Sequence, residues 1–113
     1  MDMVKTTFPK RFEIYWVNLD PTIGAEVKKM RPCVIISPDS MNQGLHTVLI
    51  APMTTTIKQW PFRILISHNK TEGQIMLDQI RGISKKRLAR PDGIVSTKSR
   101  NRILETLREM FVQ

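Results

Sequence analysis

The feature that most constrains this chain is a succession of short strand-like runs broken by turn residues. FEIYWVNL, CVIIS, TVLIAPM, FRILIS and QIMLDQIRGI are rich in the β-branched and aromatic side chains that suit a pleated surface. Between them stand DPTIG, PDSMNQG, TTIKQWP and HNKTEG, each carrying the Gly, Pro, Asn or Asp that turns require. A short GIVS run follows at Gly93. The period then changes, because Ile103, Leu104, Leu107, Met110 and Phe111 recur at helical spacing, with Ser96 or Thr97 available as N-cap. Five or six short strands and one closing helix predict a mostly β protein, a small and strongly bent sheet or partly open barrel with the C-terminal helix packed on it. A chain of 113 residues buries one core comfortably, so a single domain over residues 1–113 is expected.

Charge narrows the partners. Lys and Arg number 18 against 10 acidic residues, a formal charge of +8, which favours nucleic acid or an acidic protein segment over a neutral partner. The opening MDMVKTTFPKRF lacks the apolar core of a targeting segment, and no run approaches the ~18 apolar residues of a membrane span. A cytoplasmic protein with no membrane partner is expected. Cys33 stands alone, which excludes an intrachain disulfide and a CxxC metal site, and its neighbours Val34, Ile35 and Ile36 mark it as a buried thiol.

Three polar clusters interrupt the apolar pattern. In GAEVKKMRPCVII, Glu26 precedes Lys28, Lys29 and Arg31, and Pro32 then leads into a run with the character of a buried strand. A strand-initial arginine often serves as a solvated edge charge. Here Glu26, across a glycine-opened loop, is placed to orient the guanidinium, and Pro32 fixes the backbone beyond it, so Arg31 reads as a held cation. At APMTTT, Thr54, Thr55 and Thr56 put hydroxyls at a strand end, although threonine favours strands in any case. In LDQIR, Asp78, Gln79 and Arg81 break an apolar strand, and Asp78 between Leu77 and Ile80 suits either a bond to loop backbone or recognition of a base.

Taken together, VNLDP, GAE, RPCVIIS, PMT and DQIR resemble, in order and spacing, the signature of the MazF/PemK toxins, sequence-selective ribonucleases of toxin–antitoxin pairs. The resemblance runs from about Phe12 into the C-terminal helix. It implies a small SH3-like β-barrel that forms a homodimer, a groove for single-stranded RNA, no cofactor or metal, and a cognate acidic, MazE-like antitoxin. By position Arg31 matches the family's catalytic arginine, Thr54 its catalytic threonine and Glu26 the glutamate of the adjoining loop, while Asp78 and Gln79 match residues lining the RNA groove. The implied activity is endoribonucleolytic cleavage that inhibits translation and growth.

Those groups suit the chemistry. Attack of a ribose 2′-hydroxyl on its own phosphate builds negative charge on pentacoordinate phosphorus, which a fixed guanidinium and a threonine hydroxyl stabilise. The products carry 2′,3′-cyclic phosphate and 5′-hydroxyl ends. Arginine stays protonated, so Glu26 is the available base. Lys28, Lys29, Lys58 and Arg81 are placed to neutralise phosphates, and Trp60 offers either a stacking face for a base or packing beneath Pro61. His46 and His68 lie in turn-like segments and match no motif position, so the chain does not read as a paired-histidine ribonuclease. Some plasmid-borne members of the family carry a histidine before the loop glutamate and an arginine two residues before the Asp of Asp-Gln. Ala25 and Met76 occupy those positions here, and an acid–base scheme built on them is excluded. Two rivals share the fold class: a non-enzymatic, CcdB-like DNA gyrase poison, disfavoured because the chain ends MFVQ rather than in Trp-Gly-Ile, and a passive nucleic-acid-binding barrel.

Overall fold

A computed structural model of the chain describes residues 7–19 and 30–112. Within them, seven strands form one curled antiparallel sheet: β1 (Glu13–Asn18), β2 (Met30–Ile35), β3 (Thr47–Thr54), β4 (Arg63–His68), β5 (Thr71–Met76), β6 (Arg81–Ser84) and β7 (Leu88–Ile94). A short helix α1 (Asp39–Gly44) links β2 to β3, and α2 (Thr97–Phe111) closes the chain. The order across the sheet is β4-β5-β3-β2-β1-β7. β3 is the organiser, since Thr47–Ile50 pair with β6 whereas Met53 and Thr54 pair with β5.

The unbroken apolar runs are explained by burial on both faces. Cys33 and Ile35 of β2, with Val48 and Ile50 of β3, join Val17 and Ile83 in one cluster. Their neighbours Val34, Ile36, Ala51 and Met53 point the other way, into a second cluster with Ile64, Ile66, Ile75 and Ile103 of α2. Strands covered on both faces have no polar side to alternate with. Helix α2 starts where expected, with Ser96 Oγ accepting from the Ser99 amide at 3.3 Å. Ile103 is fully buried, and Leu104, Leu107 and Met110 pack beside it. Phe111, expected on that face, is 74% exposed in the last turn.

Three boundaries differ from the sequence pattern. QIMLDQIRGI is two strands, β5 and β6, separated by a 3-10 turn at Leu77–Gln79 that lets the chain change position along β3. The final strand begins at Leu88, ahead of GIVS, because β7 lies at the sheet edge and tolerates Pro91 there. PDSMNQG contains α1, which is anchored by Asn42: its Nδ2 donates to the Ser37 carbonyl at 2.9 Å, and its Oδ1 accepts from the Ser37 hydroxyl.

Candidate active site

Strand pairing brings two of the expected catalytic residues together. The β2–β3 register aligns Ile35 with Ile50, Val34 with Ala51 and Cys33 with Pro52. Arg31 precedes Cys33 by two residues and Thr54 follows Pro52 by two, so both segments leave the paired stretch at the same end. Both residues line one open groove of about 410 Å³, bordered also by Trp16, Thr55, His68 and Asp92. Arg31 is exposed, and its Nη1 approaches the Met53 carbonyl at 3.5 Å. Thr54 is half-buried, and its Oγ1 accepts from the Thr56 amide at 3.1 Å, which fixes the hydroxyl at the strand end and leaves its own proton available. Gly73 of β5 also lines the groove, in contact with the Thr54 backbone. Glu26, Lys28 and Lys29 lie outside the described residues.

The remaining expected RNA contacts lie away from the groove lining. Lys58 and Trp60 belong to the segment between β3 and β4, which buried Gln74 clamps by accepting from the Lys58 amide at 3.0 Å and donating to its carbonyl at 2.8 Å. Trp60 is not packed away under Pro61. It is 48% exposed and carries the Arg63 guanidinium over its ring at 4.4 Å. The main partner of Asp78 is a side chain, Arg63. Its carboxylate takes two hydrogen bonds from Arg63, Nε at 2.7 Å and Nη2 at 3.2 Å, because a buried guanidinium requires a counter-charge. The Arg63 hydrogen bonds hold the Asp78 carboxyl below its ordinary range against the opposing effect of burial. Gln79 and Arg81 are exposed, Arg81 opposite Ile50 on β6. Burial pushes the Cys33 thiol up to about 12, opposed by the charges of Arg31 and Arg81.

Sequence reasoning gave no role to four groove residues that meet in one polar cluster, Trp16, His68, Asn69 and Asp92. His68 is the last residue of β4, ahead of a two-residue turn in which Asn69 and Lys70 adopt φ of 51° and 65°, the left-handed pair of a tight hairpin. Its Nε2 lies 3.0 Å from Asp92 Oδ2. The same carboxylate oxygen accepts from Trp16 Nε1 at 3.1 Å and from Asn69 Nδ2 at 3.3 Å. The His68 bond, followed by those of Trp16 and Asn69, holds Asp92 below the usual carboxylate range, while burial works the other way. The turn was legible as a turn. The pairing of His68 with Asp92 was not, because the two are joined only by the curl of the sheet.

No helix among the described residues is long and apolar enough to cross a membrane. The family described as PemK-like, MazF-like toxin of type II toxin-antitoxin system matches residues 10–111. Endoribonuclease toxin MazF of Escherichia coli K12 is 31% identical over 109 residues, covering 90% of this chain and 98% of the relative. Endoribonuclease MazF9 of Mycobacterium tuberculosis is 36% identical over 109 residues, covering 88% and 92%. The crystal structure of MazE-MazF (Form-II) from Deinococcus radiodurans shares the fold, with a TM-score of 0.78 at 22% identity over 93% of this chain and 96% of that one. So does an endoribonuclease in complex with its cognate antitoxin from a mycobacterial species, with a TM-score of 0.76 at 24% identity over 89% and 92%. On the family match and these relatives, the chain belongs to the PemK-like, MazF-like toxins of type II toxin–antitoxin systems.

Proposed function

We propose that this protein is the endoribonuclease toxin of a type II pair, cleaving single-stranded RNA without a metal by attack of a ribose 2′-hydroxyl on the adjacent phosphate. The observation that carries the reading is that Arg31 and Thr54 line one open groove, at the same end of the paired β2–β3 stretch. A guanidinium and a hydroxyl converging there supply fixed donors to the oxygens on which charge develops in the pentacoordinate transition state. The cyclic 2′,3′-phosphate and 5′-hydroxyl ends follow from that attack. Glu26 retains a candidate role in orienting Arg31 or accepting a proton. A net charge of +8 favours RNA phosphates, with Lys28, Lys29, Lys58 and Arg81 as candidate phosphate contacts and exposed Trp60 as a candidate stacking face. Exposed Gln79 is a further candidate contact, and Asp78 acts on Trp60 indirectly, by holding the Arg63 guanidinium that lies against its ring.

The same charge suits an acidic, flexible antitoxin segment that competes with RNA for the groove, and we place the toxin, as a homodimer, in the cytoplasm. A gyrase-binding toxin of the same fold is not favoured, because the full-length relatives above are endoribonucleases by name. The test is incubation of purified protein with a mixed RNA pool in excess EDTA, followed by sequencing of new 5′ ends. Cleavage at a short recurrent motif is expected, and Arg31→Ala and Thr54→Ala should each lower the rate by about 10²- to 10³-fold. Near wild-type cutting by either variant would place the site elsewhere, and activity restored only by a divalent cation would require a different nuclease mechanism.

A further inference from the structure

We propose that His68, oriented by Asp92, accepts the proton of the attacking 2′-hydroxyl, an assignment that rests on the endoribonuclease reading above. His68 lines the groove that Arg31 and Thr54 share. Asp92 is held in its ionised form, in which a carboxylate only accepts hydrogen bonds. The 3.0 Å contact therefore requires the proton on His68 Nε2. With that proton in place, the Asn69 amide cannot also donate to Nε2 and serves Asp92 Oδ2 instead. In the neutral form of the ring Nδ1 is therefore the bare acceptor, and among the described residues none donates to it. This is the logic of a carboxylate-oriented imidazole base, with the two ring nitrogens exchanged.

The surroundings fix the ring as well as the tautomer. Gly93 lies against the ring, at a φ of +103° that side-chain-bearing residues rarely adopt, and a Cβ there would stand in ordinary contact with His68 Cε1, at 3.4 Å. The left-handed Asn69–Lys70 turn sets the strand end, and the Asn69 side chain ties that turn to Asp92. The charged groups around the ring are Arg31 from β2, Glu72 from β5 and Asp92 from β7, with Arg90 of β7 stacked on Trp16 at 5.0 Å. Asp92 stabilises the imidazolium that forms, whereas Arg31 is the partner of the phosphate.

In the step, Nδ1 of His68 takes the 2′ proton as the O2′–P bond forms and the P–O5′ bond breaks. The imidazolium returns that proton through solvent to the departing O5′, so no oxidant, metal or second base is consumed. His68 thereby takes the role that the sequence pattern gave to Glu26.

The decisive measurement is the pH–rate profile of kcat on a fluorescent RNA for wild type, His68→Gln, Asp92→Asn and Glu26→Gln, alongside RNA affinity. Wild type should show an acidic limb. His68→Gln should lose that limb and about 10²-fold or more in kcat, with RNA affinity unchanged. Asp92→Asn, which no longer stabilises the imidazolium, should lower kcat and move the limb to lower pH. Imidazole added to His68→Ala should restore part of the rate, a rescue that a purely structural histidine does not give. The assignment is overturned if the limb persists in His68→Gln, if the loss there lies wholly in KM, or if only Glu26→Gln removes the limb. Should wild type fail to cut RNA, the endoribonuclease reading itself fails, which the wild-type profile distinguishes from failure of His68 alone.

Discussion

Gly73→Ala provides a sharp test of how the groove is held. A Cβ at Gly73 would sit inside van der Waals contact of the Thr54 carbonyl oxygen and 3.3 Å from its carbonyl carbon. Both obstacles are backbone, on the partner strand that pairs Thr54 with Gln74, so neither can rotate aside. Restoring ordinary carbon–oxygen contact requires β3 and β5 to part by on the order of 1 Å. Overpacking of this kind costs about 1–3 kcal/mol, which lowers the melting temperature of a domain this size by roughly 4 °C or more. Because the displaced residue carries a proposed catalytic hydroxyl, misplacement of that order should also cost about 10² in cleavage rate. Gly82→Ala is the control: its Cβ would meet the Leu49 side chain at 3.5 Å and the Val48 carbonyl oxygen at 4.0 Å, both ordinary contacts, and it should leave rate and stability nearly unchanged. The assays are thermal melting and single-turnover cleavage of a fluorescent RNA. A Gly73→Ala protein that melts and cuts like wild type would refute the idea that close β3–β5 packing sets the position of Thr54.

Two further predictions follow from the titrating groups. Asp78 is held below its ordinary range by Arg63, so its contribution to stability is complete above the usual carboxylate pKa of about 4 and is lost as pH falls through the lower folded value. The urea midpoint of wild type should therefore exceed that of Asp78→Asn at neutral pH by a margin that shrinks at strongly acid pH, and a constant margin would count against the ion pair as its source. Cys33 is fully buried with its thiol pushed up to about 12, so the native protein should resist iodoacetamide at neutral pH and react once unfolded. Rapid labelling of native protein would contradict that burial.

How much of this was legible in the sequence depends on how far each feature reaches along the chain. The strands β1 to β4 and helix α2 declared themselves through local pattern, and so did the cap at Ser96. Strand β7 did not, because Pro91, Asp92 and Gly93 carry the chemistry of a turn, and only the position of the strand at the sheet edge accommodates them. Arg31 and Thr54 stood out because each sits near a strand end, and the pairing of β2 with β3 carries both ends to one groove. Asp78 was visible as an anomaly, but its partner Arg63 was not, since both positions lie in apolar surroundings and the ion pair is a matter of tertiary packing.

The missed pair, His68 and Asp92, reveals how architecture and site are coupled. β4 and β7 occupy the two ends of the strand order, so the His68–Asp92 hydrogen bond spans the edges of the sheet, and Trp16 and Asn69 converge on the same carboxylate oxygen. A sheet that curls until its edges meet removes exposed strand edges and encloses a groove in the same movement. Here the curl is secured by a polar clasp at the mouth, while the apolar clusters secure it on both faces. A clasp made of apolar side chains would have closed the edges equally well. One made of an imidazole and a carboxylate also sets an oriented ring in the groove that Arg31 and Thr54 line, where we propose it accepts the proton that arginine, always protonated, cannot.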